Sequence, residues 1–142
     1  MSNMAASSDG VHGLMLSIGT IKAVEVGAGM AVKDMTGSQD NDQLDAKDGK
    51  VSFRTNNAGG ITGGLATGQN IVVRLAVKPT PTIAKPQHTI DKVSLENKDL
   101  AAVTRRDPTI VPRVWPVAEA FTAILLLDHY MQHIAFQSMV KK

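Results

Sequence analysis

The chain has 142 residues, enough for one domain built around a single core and not for two. Its 15 basic and 13 acidic residues leave a formal charge of +2, no Lys/Arg run exceeds two residues, and aromatics make up 4%; the basic stripe and stacking residues of a nucleic-acid binder are therefore missing. Zero cysteines exclude disulfides, thiolate metal sites and a cysteine nucleophile together.

Residues 1–10 are small and polar, and positions 1–13 are expected to form a disordered or frayed start. They carry neither a basic n-region nor an apolar h-region, so no secretory signal is expected. Ile21 to Val26 (I-K-A-V-E-V) alternates as a strand does. Gly27-Ala28-Gly29 hints at a dinucleotide loop, but Val32 stands where the third small residue is needed, which removes that reading. Met35 to Asp48 is expected to be an acidic surface loop, because its carboxylates lack the calcium-loop spacing.

Val51 to Gly68 holds five glycines within ten residues, at 59, 60, 63, 64 and 68. Such a run predicts tight turns whose backbone N–H groups can approach a ligand closely. No Lys-Ser/Thr pair follows, so it is not a nucleotide P-loop. Gln69 to Val77 is β-branched and alternating, and predicts a strand that stops at Lys78-Pro79-Thr80-Pro81-Thr82. A lysine and two threonine hydroxyls at a strand exit can hold a phosphate, and a proline-capped exit is the simpler alternative. Pro86 to Ala102 reads as a strand edge and a short connector, with His88 exposed.

From Thr104 to Phe121 the chain gathers Arg105, Arg106, Asp107 and Arg113 around Pro108, Pro112 and Pro116. The prolines forbid a regular helix across this stretch, so a stiff loop is expected to feed a helix starting near Pro116. A carboxylate between guanidinium groups suits charged chemistry, and equally a structural clamp. Val117 to Met139 then predicts an amphipathic helix, apolar nearly all round between Ala120 and Leu127 and in need of cover on several sides. The apolar run is too short for a membrane span. His129 and His133 share a helical face, but no third ligand accompanies them, and no metal site is expected.

Residues 105–121 resemble the R-H-D-P-C-x-x-P-R-x-x-P-V-x-E-A-M signature of chorismate synthases, with Arg106, Thr109 and Phe121 in place of the family His, Cys and Met. Phe53 to Gly68 is similar to a second motif of that family, F-x-T-N-N-A-G-G-I-x-G-G-x-x-x-G, and Ser17–Gly27 and the Gly37-Ser38/Asn41-Asp42 turn also fit. The resemblance runs from about residue 17 to 128 and is to the C-terminal part of the family. It implies an α+β fold, with an antiparallel sheet packed on a long C-terminal helix as in that part of the β-α-β layered fold, and makes residues 14–142 a flavin-binding region.

The activity implied is 1,4-elimination of phosphate from 5-enolpyruvylshikimate 3-phosphate to give chorismate, using reduced FMN in the shikimate pathway. By the same resemblance Asp107 is the catalytic carboxylate near the flavin. Gly19, Thr20, Gly63, Lys78, Pro79, Thr80, Pro81, Thr82 and Arg105 contact cofactor or anion. A cytosolic homotetramer is implied, with neither nucleic acid nor membrane as partner. The histidine motifs of the family's earlier portion are absent from these residues, so the isolated chain is expected to be inactive or very weak. The alternative is a non-catalytic flavin-binding or oligomerisation module.

Overall fold

The computed structural model describes residues 8–101 and 108–140. Helix α1 (Ser8–Leu16) opens it. Val11 and Met15, four residues apart and so on one helical face, are 2% and 1% exposed. Burying each stabilises the fold by about 1.5–3 kcal/mol. The frayed start expected over 1–13 is therefore corrected from residue 8 onward, where burial of Val11 ties the segment down.

Strand β1 (Ile21–Val26) follows as its alternation predicts. A 3-10 turn (Gly29–Asp34) comes next, and the stretch read as loop then holds a single-turn helix α2 (Gly37–Asp40) and strand β2 (Leu44–Lys47). Strand β3 (Lys50–Phe53) completes a hairpin with β2. The glycine run makes the small hairpin β4 (Ile61–Thr62) and β5 (Leu65–Ala66), then β6 (Val73–Val77). A further hairpin joins β7 (Gln87–Ile90) to β8 (Asn97–Leu100). Helix α3 (Val111–Val140) ends the described chain.

The architecture is α+β, as the resemblance implies, but the single sheet resolves into four two-stranded antiparallel ladders. The central ladder pairs β1 with β6, Ile21 opposite Val77 and Val26 opposite Val73, with an irregularity between Ile21 and Ala23. Only the second half of the predicted strand Gln69–Val77 is in the ladder. Its first half is engaged with the glycine loop instead: Val72 N–H donates to the Gly59 carbonyl (3.2 Å), and Asn56 Nδ2 donates to the Asn70 carbonyl (2.9 Å).

Val11, Met15 and Ile61 form the core, with Val24, Val73, Leu75, Phe121 and Leu125 packed against it. One face of the β1–β6 ladder, helix α1 and the first half of α3 thus share one apolar interior. The start of α3 differs from expectation. The helix begins at Val111 rather than near Pro116, because Pro112 falls in the first turn, where an N–H has no intrahelical partner. Pro116 lies inside the helix and forfeits only the bond to the Pro112 carbonyl.

Candidate functional site

The β1–β6 ladder closes at the end where Lys78 N–H donates to the Thr20 carbonyl at 2.8 Å. Beyond that bond the prolines of Lys78-Pro79-Thr80-Pro81 remove backbone donors and hold the exit extended. The exit, the Thr20 turn and the start of α3 enclose a cavity of about 240 Å³. Thr20, Lys78, Pro79, Thr80 and Pro81 line it, together with Pro108, Ile110 and Arg113. Thr80 Oγ1 lies 3.5 Å from the Pro108 carbonyl, a weak contact that bridges strand exit and helix approach.

Thr20 is unusual in two respects. Its φ of 80° lies in the left-handed region that a β-branched residue rarely enters, and its Oγ1 is buried with no partner among the described residues. Strain of this kind persists where the surroundings hold it and gathers at ligand sites. A buried hydroxyl without a partner fits a ligand acceptor in the cavity it lines.

Five of the expected contact residues, Thr20 and Lys78 to Pro81, are therefore brought together. Others are not. Thr82 lines a separate cavity of about 120 Å³ with Ile83, Lys85 and Gln87, because the chain turns away after Pro81, whose carbonyl accepts from Gln87 Nε2 at 3.0 Å. Gly63 does not line the Lys78 cavity either. Together with Gly64 it makes the β4–β5 turn, with φ of 58° and 76°, the geometry of a two-residue hairpin turn. Open space surrounds Gly63 and Gly19. Arg105 and Asp107 lie outside the described residues; Pro108, which follows them, lines the cavity.

Arg113 was not among the expected contacts, although it stands in the P-R-x-x-P part of the signature. A second residue missed in this way is Asp42. Its Oδ1 accepts from the Thr55 hydroxyl (2.6 Å) and Asn57 N–H (2.7 Å), and its Oδ2 from Ala58 N–H (2.8 Å). Burial opposes its charge, but the Thr55 hydroxyl and the two backbone donors outweigh it and draw its pKa below the ordinary carboxylate value. Asn57 Nδ2 in turn donates to the carbonyls of Gln39 and Asp40, both at 3.1 Å, and its own carbonyl accepts from Ala28 N–H at 2.6 Å. The acidic stretch is thus a clamp on the glycine loop.

A larger apolar groove of about 660 Å³ runs between β6 and α3, lined by Val73, Leu75, Trp115, Ala118 and Leu126 among others. Among the described residues no group of three or more His, Cys, Asp or Glu is placed to hold a metal, and no helix is long and apolar enough to cross a membrane.

The profile of the chorismate synthase family matches residues 9–131. Chorismate synthase of Methanococcoides burtonii is 48% identical over 130 residues, 90% of this chain and 36% of the relative. That of Acetivibrio thermocellus is 50% identical over 119 residues, 82% of this chain and 30% of the relative. A chorismate synthase crystal structure superposes with a TM-score of 0.67 at 30% identity, covering 92% of this chain and 34% of that one. The chain spans about a third of the length of the curated relatives it matches. With the profile covering residues from α1 well into α3, the chain belongs to the chorismate synthase family.

Proposed function

We propose that the chain is the flavin-holding part of a chorismate synthase, acting in the elimination of phosphate from 5-enolpyruvylshikimate 3-phosphate. The observation that carries this reading is the convergence of Thr20 and Lys78 to Pro81 on one cavity, at positions where the family contacts its flavin. The buried Thr20 hydroxyl without a partner is what a ligand acceptor in that cavity would satisfy. Reduced FMN, when bound, supplies electron density as phosphate departs and regains it as the C–H bond breaks, with no net redox change.

The chain's own residues bind and orient. Lys78 places a cation on an anionic group of the ligand. The hydroxyls of Thr20 and Thr80 fix its orientation, while Pro79 and Pro81 keep the exit from moving. Asp107 is assigned the carboxylate beside the C–H proton, and Arg105 an anion contact next to it. Assembly into a homotetramer is part of the proposal, supported by exposed apolar side chains along α3, among them Trp115, Ile124 and Phe136.

Anaerobic titration with reduced FMN tests the reading. Saturable binding is expected, weakened about tenfold in K78A, in keeping with loss of one charged contact. No saturable binding, or an unaltered K78A, refutes it. Phosphate release from 5-enolpyruvylshikimate 3-phosphate, assayed in parallel, separates an active enzyme from a module that only binds flavin.

A further inference from the structure

We infer that the β7–β8 hairpin is an exchange arm: its tip, Val93 and Leu95, inserts into the apolar groove between β6 and α3 of a second copy, which returns its own arm. This deepens the self-association proposed above and rests on it. The arm stands clear of its own chain. All eight residues of its two strands are exposed, and its base is tied by Gln87 Nε2, which donates to the Pro81 carbonyl at 3.0 Å. Val93 and Leu95 are 92% and 73% exposed, the highest values among the large apolar side chains described. A two-stranded hairpin without a third strand or a helix to pack on is marginal in water, and this one carries apolar side chains at its tip rather than against its own fold.

The tip is built to keep one shape. Asp91 Oδ1 accepts from Val93 N–H (2.9 Å) and Ser94 N–H (3.1 Å), and Lys98 Nζ donates to Asp91 Oδ2 at 3.4 Å. The Leu95 and Asp91 amides close the turn on the Asp91 and Glu96 carbonyls (3.0 and 2.8 Å). Little ordering cost is therefore left for docking. The groove matches the tip in size and in charge. Its volume of about 660 Å³ lies within the roughly 300–1,000 Å³ of sites that enclose a drug-sized ligand, which is room for two aliphatic side chains and the turn that carries them. Leu75, Val114, Trp115 and Leu126 give it apolar walls, and Glu119 is the one charged residue lining it among those described. Lys92 precedes Val93 at the tip, so insertion of Val93 brings a cation toward that carboxylate. One tip is small beside the roughly 1,200–2,000 Å² of a stable interface. Reciprocal exchange doubles the contact and gives the closed, two-fold arrangement.

The test is sedimentation equilibrium of the full chain, joined to disulfide cross-linking, which the lack of native cysteine keeps clean. Concentration-dependent association is expected, weakened about tenfold in K92E and in E119K and restored to within about threefold of the parent in K92E/E119K. V93S is expected to weaken it about tenfold with an unchanged circular dichroism spectrum, because the side chain it alters is exposed in the free fold. Thr122 and Ala123 line the groove. Mixing V93C copies with T122C or A123C copies is therefore expected to give a disulfide between unlike copies, which needs their Cα atoms within about 7 Å. Association that K92E and V93S leave unchanged, with no such disulfide, overturns the arm while self-association through α3 stands. A monomer at every concentration overturns both. A groove filled by a different polypeptide shows as A123C shielded from thiol reagents with no linkage to V93C, and also overturns the arm. None of these readouts involves flavin, so the flavin-holding role stands or fails by its own titration.

Discussion

Replacing Asp42 with alanine removes, in one step, the acceptor for the Thr55 hydroxyl and for the N–H groups of Asn57 and Ala58. A hydrogen bond to a charged group contributes about 1.5–3 kcal/mol when protected from water. Asp42 is half-buried, and water can reach the vacated donors, so the three together are expected to contribute about 2–3 kcal/mol rather than their sum. Urea unfolding followed by circular dichroism measures this, and hydrogen exchange at Asn57 and Ala58 should accelerate in step. The pH dependence is a second check. The folded carboxylate is more acidic than the unfolded one. Its contribution is therefore complete above the unfolded value near 4 and is lost as pH falls through the lower, folded value. D42N keeps the shape but cannot titrate, so its deficit against the parent should shrink as pH falls below about 4. A D42A cost under about 0.5 kcal/mol, or a D42N deficit constant down to strongly acidic pH, refutes the clamp.

Two glycines in opposite settings make a paired test. A Cβ on Gly27, whose φ is +61°, would meet the Asn57 carbonyl oxygen and lie 2.5 Å from Gly59 N; G27A should cost more than about 3 kcal/mol or prevent folding. Gly13, inside α1 with nothing within 4 Å of its would-be Cβ, should gain about 0.5–1 kcal/mol as G13A in the same unfolding assay. Leu95 holds φ 58° at the β7–β8 turn with its side chain exposed. L95G should raise stability by about 0.5–1 kcal/mol, seen as slower exchange at the Leu95 amide, which donates to the Asp91 carbonyl; faster exchange would contradict it.

Alternation made β1 legible, and periodicity made the body of α3 legible, because both periods follow from a buried face. The start of α3 was not, since Pro112 and Pro116 both suit a first turn and the reading chose Pro116, whereas Pro112 takes that place and loses nothing there. Helix α1 was hidden because positions 1–13 read as a small, polar, frayed start until burial of Val11 and Met15 is known. In the candidate site, local spacing drew Lys78 to Thr82 together as one strip, but a strip does not reveal where the chain turns, and Thr82 leaves the cavity. Gly63 illustrates the converse: its positive φ serves a hairpin turn. The role of Asp42 rests on backbone donors more than a dozen residues away, which no local pattern encodes. Arg113 could have been found, because it lies in the signature that identifies the family.

Helix α3 has 30 residues and so measures about 45 Å, against about 20 Å for a six-residue strand such as β1. The positions packed on the core reach Leu125, and beyond it Leu127, Tyr130, Met131, Ile134, Phe136 and Met139 are exposed. Roughly half the rod is thus a cantilever. Its support is largely the hydrogen-bond ladder itself, with side-chain ties from Gln132 to Asp128 (2.8 Å) and between Gln137 and His133 (2.9 Å). A helical segment of that length is marginal in water without tertiary cover. Amide exchange along it should grade smoothly from fast at Val140 to slow near Leu125. Global unfolding would then report on the anchored half alone, and the outer half would acquire full protection only when another surface closes over it.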